Sequence, residues 1–307
     1  MIPLIYHPFY SQLPLPDGHR YPIDKYRLLY EAAIQQIETL YSWSGVFNFV
    51  VPEKLNVKQV KQVHCPDYID LLVQGSMPAA KMRRIGFPWS EQLIERTLLS
   101  GGGTCLTAEL AIEHGLAIHL SGGYHHAHYD FGSGFCLVND LVLAAKHALE
   151  FDGIDKVLII DSDVHHGDGT ATLCANDSNV ISVSFHCDKN FPARKPSSDF
   201  DVPLARDTGD EEFLNCFEQV TKMAIAHHQP DLIIYDAGVD IHIEDELGYL
   251  NITTEGIYKR DLFMLALAKE KGIPIGCVVG GGYRTKHEDL VPIHLQLLEA
   301  AVSLNVS

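Results

Sequence analysis

Two segments of the chain concentrate residue types that could bind a metal ion and transfer protons. The first, SGGYHHAHYD (residues 121–130), contains the adjacent histidines His125 and His126, followed closely by His128. The second, DSDVHHGDG (residues 161–169), contains three aspartates and two adjacent histidines. Because neighbouring side chains on a strand point to opposite faces, a histidine pair that serves one site must lie on a loop.

The second segment offers ligands for a divalent metal ion. Asp163 and His165 are two residues apart, so extended backbone would point both side chains the same way. An aspartate oxygen and a histidine nitrogen suit zinc, and iron(II) or cobalt(II) would also accept such a set. Asp240, in DAGVD, is the best candidate for a third ligand because it too comes after a predicted strand. The competing interpretation is that these residues form helix caps and Asx turns.

Three protein ligands would leave open positions on the metal, as in catalytic sites, where a water and a substrate oxygen can bind. The histidine pair could then serve as base and acid, each ring oriented by a carboxylate that is not itself a ligand, Asp161 or Asp168. Tyr283, after three glycines in GGGY, could place its hydroxyl on a developing oxyanion, although a packed aromatic residue is the simpler interpretation.

Short apolar runs predict the strands that position these residues. The runs are LAIHLSG (116–122), KVLIIDSD (156–163), VISVSFH (180–186), DLIIYDAG (231–238) and IPIGCVVGGG (273–282). Segments with helical periodicity are found at 24–41, 91–114, 138–151, 211–228, 254–271 and 290–302. Apolar strands alternating with helices predict an α/β fold, in which a parallel sheet is covered by helices on both faces.

Four loops carry most of the unusual polar residues, and each comes directly after a predicted strand. Ligands of open α/β sheets bind beyond the carboxyl ends of the strands, so the four loops should meet at one edge of the sheet. The chain shows no internal repeat and no Gly/Ser linker, so we expect one catalytic domain over residues 1–307.

The composition narrows the classes of partner and the compartment. A formal net charge of −17 disfavours nucleic acid and favours cationic partners, although solubility alone would explain it. No apolar run reaches the length of a membrane helix and the first residues lack a signal peptide, so we expect a cytoplasmic protein with no membrane partner. Seven scattered cysteines indicate reduced thiols and argue against a thiolate zinc site. The oligomeric state is left open.

In combination, these motifs resemble the zinc-dependent histone deacetylases of the arginase–deacetylase superfamily. The resemblance extends from KQVHCPDYIDLL (61–72) to VVGGGY (278–283) and rests on SGGYHHAHYDFGSGFCLVND, IIDSDVHHGDGT, SVSFH and YDAGVD. The short chain, PDGHRYPIDKY (16–26) and LNITTEGIYKRD (250–261) look most like the class IV branch and its bacterial relatives. The resemblance implies a single α/β domain whose active site lies at the carboxyl ends of the strands.

The resemblance also implies a role for each site residue. Zinc would be held by Asp163, His165 and Asp240. His126 would act as general base and then acid, and Tyr283 would polarise the amide carbonyl together with the metal. The remaining implied roles are Asp161 behind His125, Asp168 behind His126, tunnel walls at Gly134, Phe135 and Phe191 with Leu247 at the side, and a structural potassium site at Asp161, Asp163, His165, Ser184 and Phe185. The implied reaction removes acetyl or longer acyl groups from lysine side chains.

Two glycines separate this chain from the arginase branch, whose two-manganese site needs more carboxylates. The additional ligands would fall at Gly167 and Gly238, which have no side chain, so we expect a single metal. The aspartate with which well-known deacetylases grip the substrate backbone is also missing, because RIGFPWSE places Gly86 or Phe87 there. This departure leaves room for longer acyl chains or for non-peptide substrates.

Three alternatives remain open from the sequence. An acetylpolyamine amidohydrolase would fit the acidic composition, although no obvious loop insertion of that family is visible. Another metal-dependent hydrolase acting on a cationic small-molecule amide is the second alternative. The third is a non-catalytic acyl-lysine binding protein, which would be expected to lack a ligand, a tandem histidine or the tyrosine. All of these residues are present.

Overall fold

The computed structural model describes residues 1–306, which contain one eight-stranded parallel sheet. Its strands are β1 (Ile2–Ile5), β2 (Phe47–Val50), β3 (Leu116–His119), β4 (Val157–Asp161), β5 (Val180–Cys187), β6 (Phe200–Leu204), β7 (Leu232–Asp236) and β8 (Ile275–Val278). Their spatial order is β2-β1-β3-β8-β7-β4-β5-β6. Every residue of β4, β5, β7 and β8 is buried, so both faces of the central sheet are covered. The predicted fold class is confirmed.

Helices surround this sheet. They are α1 (Lys25–Thr39), α2 (Val57–Val60), α3 (Pro66–Val73), α4 (Ala79–Ile85), α5 (Glu91–His114), α6 (Asp140–Ala148), α7 (Asp168–Cys174), α8 (Asp210–His228), α9 (Thr254–Lys271) and α10 (Val291–Val306). Helices α5 and α9 match the predicted bounds because each begins after a hydroxyl N-cap, Ser90 or Thr253, and ends at a glycine.

Three strands and several short helices were not predicted from the sequence. Strands β2 and β6 lie at the two edges of the sheet, and their partly exposed residues lack the continuous apolar pattern of central strands. Strand β1 has only four residues. Helices α2, α3, α4 and α7 have four to eight residues each, too few to show a helical period clearly.

Two further observations concern the described part of the chain. No helix within residues 1–306 is long and apolar enough to cross a membrane. All seven cysteines lie in this part of the chain and are free thiols. The predicted domain, 1–307, includes Ser307, which lies outside the described residues, and its extent stays a prediction.

Candidate active site

The four polar loops meet at one edge of the sheet, as predicted. Strands β3, β8, β7 and β4 are neighbours, and each leads into one of these loops. The histidine pair lies in a turn between β3 and α6, in residues without strand structure. Asp140, at the start of α6, fixes this turn because its carboxylate accepts the backbone N–H groups of Tyr124 (2.7 Å) and Gly123 (3.1 Å).

The three predicted metal ligands lie together and are buried. Nδ1 of His165 is 3.0 Å from Oδ1 of Asp163 and 3.0 Å from Oδ2 of Asp240. The expected extended backbone is wrong, because the residues after β4 form bends in which the N–H of His165 donates to Oδ1 of Asp163. The Asx-type turn proposed as the competing interpretation is therefore present, and it coexists with the cluster.

The chemistry of this cluster fits a divalent cation. One potential ligand atom from each of Asp163, His165 and Asp240 lies within 4.8 Å of the others. Burial opposes a charge on His165, but hydrogen bonds to the two carboxylates outweigh it and raise the pKa of this histidine to about 10. The two aspartates therefore favour a positive charge close to the three ligand atoms. A metal ion would supply that charge and displace the proton.

Each histidine of the pair is hydrogen-bonded to its own carboxylate. Nδ1 of His125 is 2.7 Å from Asp161, and Nδ1 of His126 is 2.6 Å from Asp168. A carboxylate only accepts, so each Nδ1 carries a hydrogen and each Nε2 is directed toward the other ring. The two Nε2 atoms are 3.1 Å apart, which requires one proton between them.

The electrostatic environment assigns that proton to His125. Burial opposes its charge, but Asp161 and Asp163 outweigh burial and raise the pKa of His125 well above its ordinary value. Burial and the neighbouring His125 lower the pKa of His126 to about 3. The pair therefore contains one imidazolium, His125, and one neutral ring, His126, whose Nε2 can accept a proton.

Tyr283 lies beside the cluster. Its ring centroid is 6.2 Å from that of His165. Burial, together with Asp163 and Asp240, raises the pKa of Tyr283 well above 10, so its hydroxyl keeps its proton and can donate. The backbone N–H of Tyr283 donates to Asp245 at 2.6 Å. Burial and the charge of Asp240 raise the pKa of Asp245 to about 8.

Aromatic rings approach the cluster from two sides. The ring of Phe191 lies 4.9 Å from His126 and is 43% exposed, while Phe135 lies 6.1 Å from Tyr283. Phe135 has a φ of +66°, a strained conformation for a non-glycine residue, and donates its N–H to Ile85 at 2.7 Å. The strain indicates that the surrounding structure holds this ring in place.

The other two predicted tunnel residues are Gly134, which lies between the rings of His126 and Phe191, and Leu247, which contacts the residue before Phe191. A Cβ atom on Gly134 would lie 2.6 Å from the ring of His126 and 3.2 Å from that of Phe191, so a side chain there would fill the gap. The backbone carbonyl of Leu247 accepts a hydrogen bond from the side chain of Asn190 at 2.9 Å. This contact links the segment after β7 to the residue that precedes Phe191.

The residues implied for a potassium site lie at the end of β4, in the bends that follow it, and within the neighbouring strand β5. Asp161 on β4 is in register with Ser184 on β5, and Phe185 is the next residue in the buried part of the same strand. Asp161 also accepts the backbone N–H of Asp163 at 3.1 Å. The hydroxyl of Ser184 is 3.1 Å from Nδ1 of His186. The structure brings these residues together without testing which ion they bind.

Gly167 and Gly238 have no room for the additional ligands of a two-metal site. A Cβ atom on Gly167 would overlap Asp161, and one on Gly238 would lie 2.9 Å from Asp163. A third glycine is as constrained, since a Cβ atom on Gly281 would overlap the carboxylates of Asp163 and Asp240. The backbone therefore passes against the cluster where side chains would displace its carboxylates.

Three buried polar side chains near the site were not predicted from the sequence. Lys25 is buried behind the site, donates to the carbonyl of Gly280 at 2.8 Å, and has a pKa that burial lowers to about 8. Asp236, at the end of β7, is buried, and its carboxylate has no hydrogen-bond partner among the described residues; burial raises its pKa well above the ordinary range. His64 bridges the carbonyl of His128 and the N–H of Asn139, both at 2.9 Å. Each had a sequence signal that assigned it no role: Asp236 follows the apolar residues of the run 231–238, and Lys25 and His64 lie in the quoted segments 16–26 and 61–72.

The rim of the mouth lacks a carboxylate at the predicted position. Gly86 ends α4 in a left-handed conformation, and Phe87 is buried against Phe135 and the stacked ring of His19. Neither residue can grip a peptide backbone as an aspartate would. The predicted departure at this position is therefore present in the folded chain.

Comparison with known proteins shows the family. The family model described as histone deacetylase domain matches residues 20–296. An uncharacterized protein of Picosynechococcus sp. is 41% identical over 303 residues, covering 97% of this chain and 98% of the relative. Histone deacetylase 2 of Arabidopsis thaliana is 32% identical over 288 residues (84% and 73%), and acetoin utilization protein AcuC of Staphylococcus aureus is 37% identical over 202 residues (59% and 50%). The chain belongs to the histone deacetylase family and is an amide hydrolase of the deacetylase type.

Proposed function

We propose that the chain is a zinc-dependent lysine deacylase that removes acetyl or longer acyl groups from lysine side chains. One observation carries the proposal: a buried Asp–His–Asp cluster lies beside a carboxylate-bound histidine pair and a tyrosine whose hydroxyl keeps its proton. A zinc ion held by Asp163, His165 and Asp240 would activate a water and polarise the amide carbonyl, and iron(II) or cobalt(II) could serve in the same place.

The protein groups would divide the proton transfers between them. Nε2 of His126 is unprotonated and would accept a proton from the attacking water, because its Nδ1 hydrogen is held by Asp168. His125 would carry the proton destined for the leaving lysine amine, since Asp161 stabilises its imidazolium form. The Tyr283 hydroxyl would donate to the negative charge that develops on the carbonyl oxygen when water adds to the carbonyl carbon. This assignment gives the acid role to His125, whereas the resemblance implies both the base and the acid role for His126.

The mouth supports a thin aliphatic chain as the substrate stem. Phe135 and Phe191 offer aromatic faces, and Gly134 leaves the space beside His126 open. Leu247 would complete one side. A lysine stem carrying an acyl group fits these walls, and its charge-free amide would reach the cluster at the base.

A second candidate substrate is a cationic small-molecule amide such as an acetylpolyamine. The specific observation that favours it is the rim, where Gly86 and Phe87 supply no carboxylate for a peptide backbone. The net charge of −17 would attract either kind of cationic substrate. The proposal also includes the class IV subclass, a cytoplasmic location and a structural potassium ion. The potassium ion would lie at Asp161, Asp163, His165, Ser184 and Phe185.

A substrate panel tests the proposal. Metal-loaded protein would be given lysine peptides acylated with chains from acetyl to myristoyl, and acetylpolyamines in parallel, with His126→Ala as the inactive control. Hydrolysis of an acylated peptide by the natural protein, but not by His126→Ala, supports the deacylase. Turnover of polyamines alone selects the second candidate, and binding of acylated peptides without any turnover would identify a non-catalytic binder.

A further inference from the structure

Asp168, the carboxylate behind His126, is shared with a third histidine. Its Oδ1 accepts from Nδ1 of His126 at 2.6 Å, and its Oδ2 accepts from Nε2 of His128 at 2.9 Å. The carboxylate is buried, and His128 reaches it from the surface side, where 12% of the His128 side chain is exposed. We propose that His128 is a positioning residue for the reaction, which acts by holding Asp168, and through it His126, in the productive orientation. This inference rests on the proposed function.

The ring of His128 is itself held from several directions. The hydroxyl of Thr172 lies 3.0 Å from Nδ1, the ring stacks on Phe131 with centroids 4.2 Å apart, and His64 donates to the backbone carbonyl. The Thr172 hydroxyl also lies 2.9 Å from the carbonyl of Gly169 and 3.1 Å from that of Asp168. The Asp168 carboxylate only accepts, so Nε2 of His128 carries the hydrogen between them. These contacts hold the His128 ring with Nε2 directed at Asp168.

Helix α7 provides the frame for this arrangement. Asp168 is the first residue of α7 and Thr172 lies one turn later, so both contact His128 from the same helix. His126 and His128 come from the opposite loop and are separated by a single residue. One carboxylate thus joins two residues of the loop to the helix.

Removal of His128 would leave Oδ2 of Asp168 without the only side-chain donor that contacts it within residues 1–306. The carboxylate could then rotate, and the hydrogen on Nδ1 of His126 would lose its fixed acceptor. The proton-accepting Nε2 would be less well aligned, while the substrate tunnel would not change. The expected consequence is a lower kcat with an unchanged KM, because outer residues of this kind typically contribute factors of about 10 to 100.

Three variants separate positioning from simple support. His128→Leu removes the donor and should lower kcat about tenfold. His128→Gln keeps an N–H donor for Asp168 and should restore kcat to within about twofold of the natural protein. His147→Leu is the matched control, since His147 lies on α6 with 27% of its side chain exposed and its nearest charged partners are Glu109 and Glu150.

A second measurement does not depend on turnover. In ¹⁵N-histidine-labelled protein, the Nδ1–H signal of His126 should persist in the natural protein and in His128→Gln, and should broaden or shift in His128→Leu. The inference is overturned if His128→Leu keeps both its kcat and this signal, or if His128→Gln is as slow as His128→Leu. If His128→Leu does not fold, the exposed Thr172→Val decides by the same two measurements. If the natural protein hydrolyses none of the substrates, only the proposed function is overturned. The nitrogen signals still test whether His128 holds Asp168 and His126 in position.

Discussion

Low pH should destabilise this protein partly through His64. This histidine is buried, and in its neutral form both ring nitrogens make hydrogen bonds. Nδ1 donates to the carbonyl of His128, and Nε2 accepts the N–H of Asn139. Protonation would break the second bond, and burial lowers the pKa of His64 to about 4, against about 6.5 in an unfolded chain. We therefore predict that His64→Gln flattens the dependence of stability on pH.

The sign and size of the effect come from proton linkage. Above pH 6.5 the ring is neutral in both states and the full contribution of His64 is present. As pH falls from 6.5 to 4 the unfolded chain binds a proton that the native chain does not, so stability is lost, and below pH 4 the loss stops. Between pH 7 and 4.5 this one group should remove about 2.5 kcal/mol from the free energy of unfolding.

Urea unfolding at pH 7, 5.5 and 4.5 would measure this effect. The variant should be less stable than the natural protein at pH 7, because it loses buried hydrogen bonds, and the difference should shrink as pH falls. Other buried histidines titrate in both proteins and cancel in the comparison. His147→Gln, at a partly exposed position, should keep the natural slope. Parallel curves for the natural protein and His64→Gln would refute the reasoning.

Three further predictions concern the site. Tyr283→Phe should lower kcat by about 10²- to 10³-fold with metal content unchanged, because an oxyanion donor is lost; a smaller effect in steady-state kinetics would argue against that role. Gly281→Ala should weaken metal binding at least about tenfold in a competition titration, since its Cβ would overlap Asp163 and Asp240. Metal binding should release about one proton, from His165, in calorimetry across buffers of different ionisation enthalpy; release of none would contradict the raised pKa of that histidine.

The site residues that lie in loops directly after central strands could be predicted from the sequence. Strands such as β4 and β7 are apolar throughout, so their ends could be located, and the polar loops beyond them had to share one edge. Placing Asp163, His165 and Asp240 together needed only that topology. The detailed backbone after β4 was predicted wrongly, because a bend and an extended segment can both bring residues two apart to one ligand site.

The rest of the site depends on contacts between residues far apart in the chain. Lys25 reaches Gly280 across 255 positions, and His64 reaches Asn139 across 75, with no periodicity or motif to connect them. The charge states of His125 and His126 depend on burial and on distances to Asp161 and Asp168, which adjacency in the sequence does not reveal. The sequence could therefore predict a histidine pair, and the folded chain was needed to distinguish its members.

The central claim is that a single metal ion, held by Asp163, His165 and Asp240, makes this chain an amide hydrolase. The most direct measurement is a titration of metal-free protein with zinc, in which bound metal and hydrolysis of the best acyl-lysine peptide are monitored together. Activity should rise to a plateau at about one ion per chain, and Asp240→Asn should neither bind tightly nor turn over. Full activity in the metal-free protein, or a plateau only at two ions, would contradict the claim.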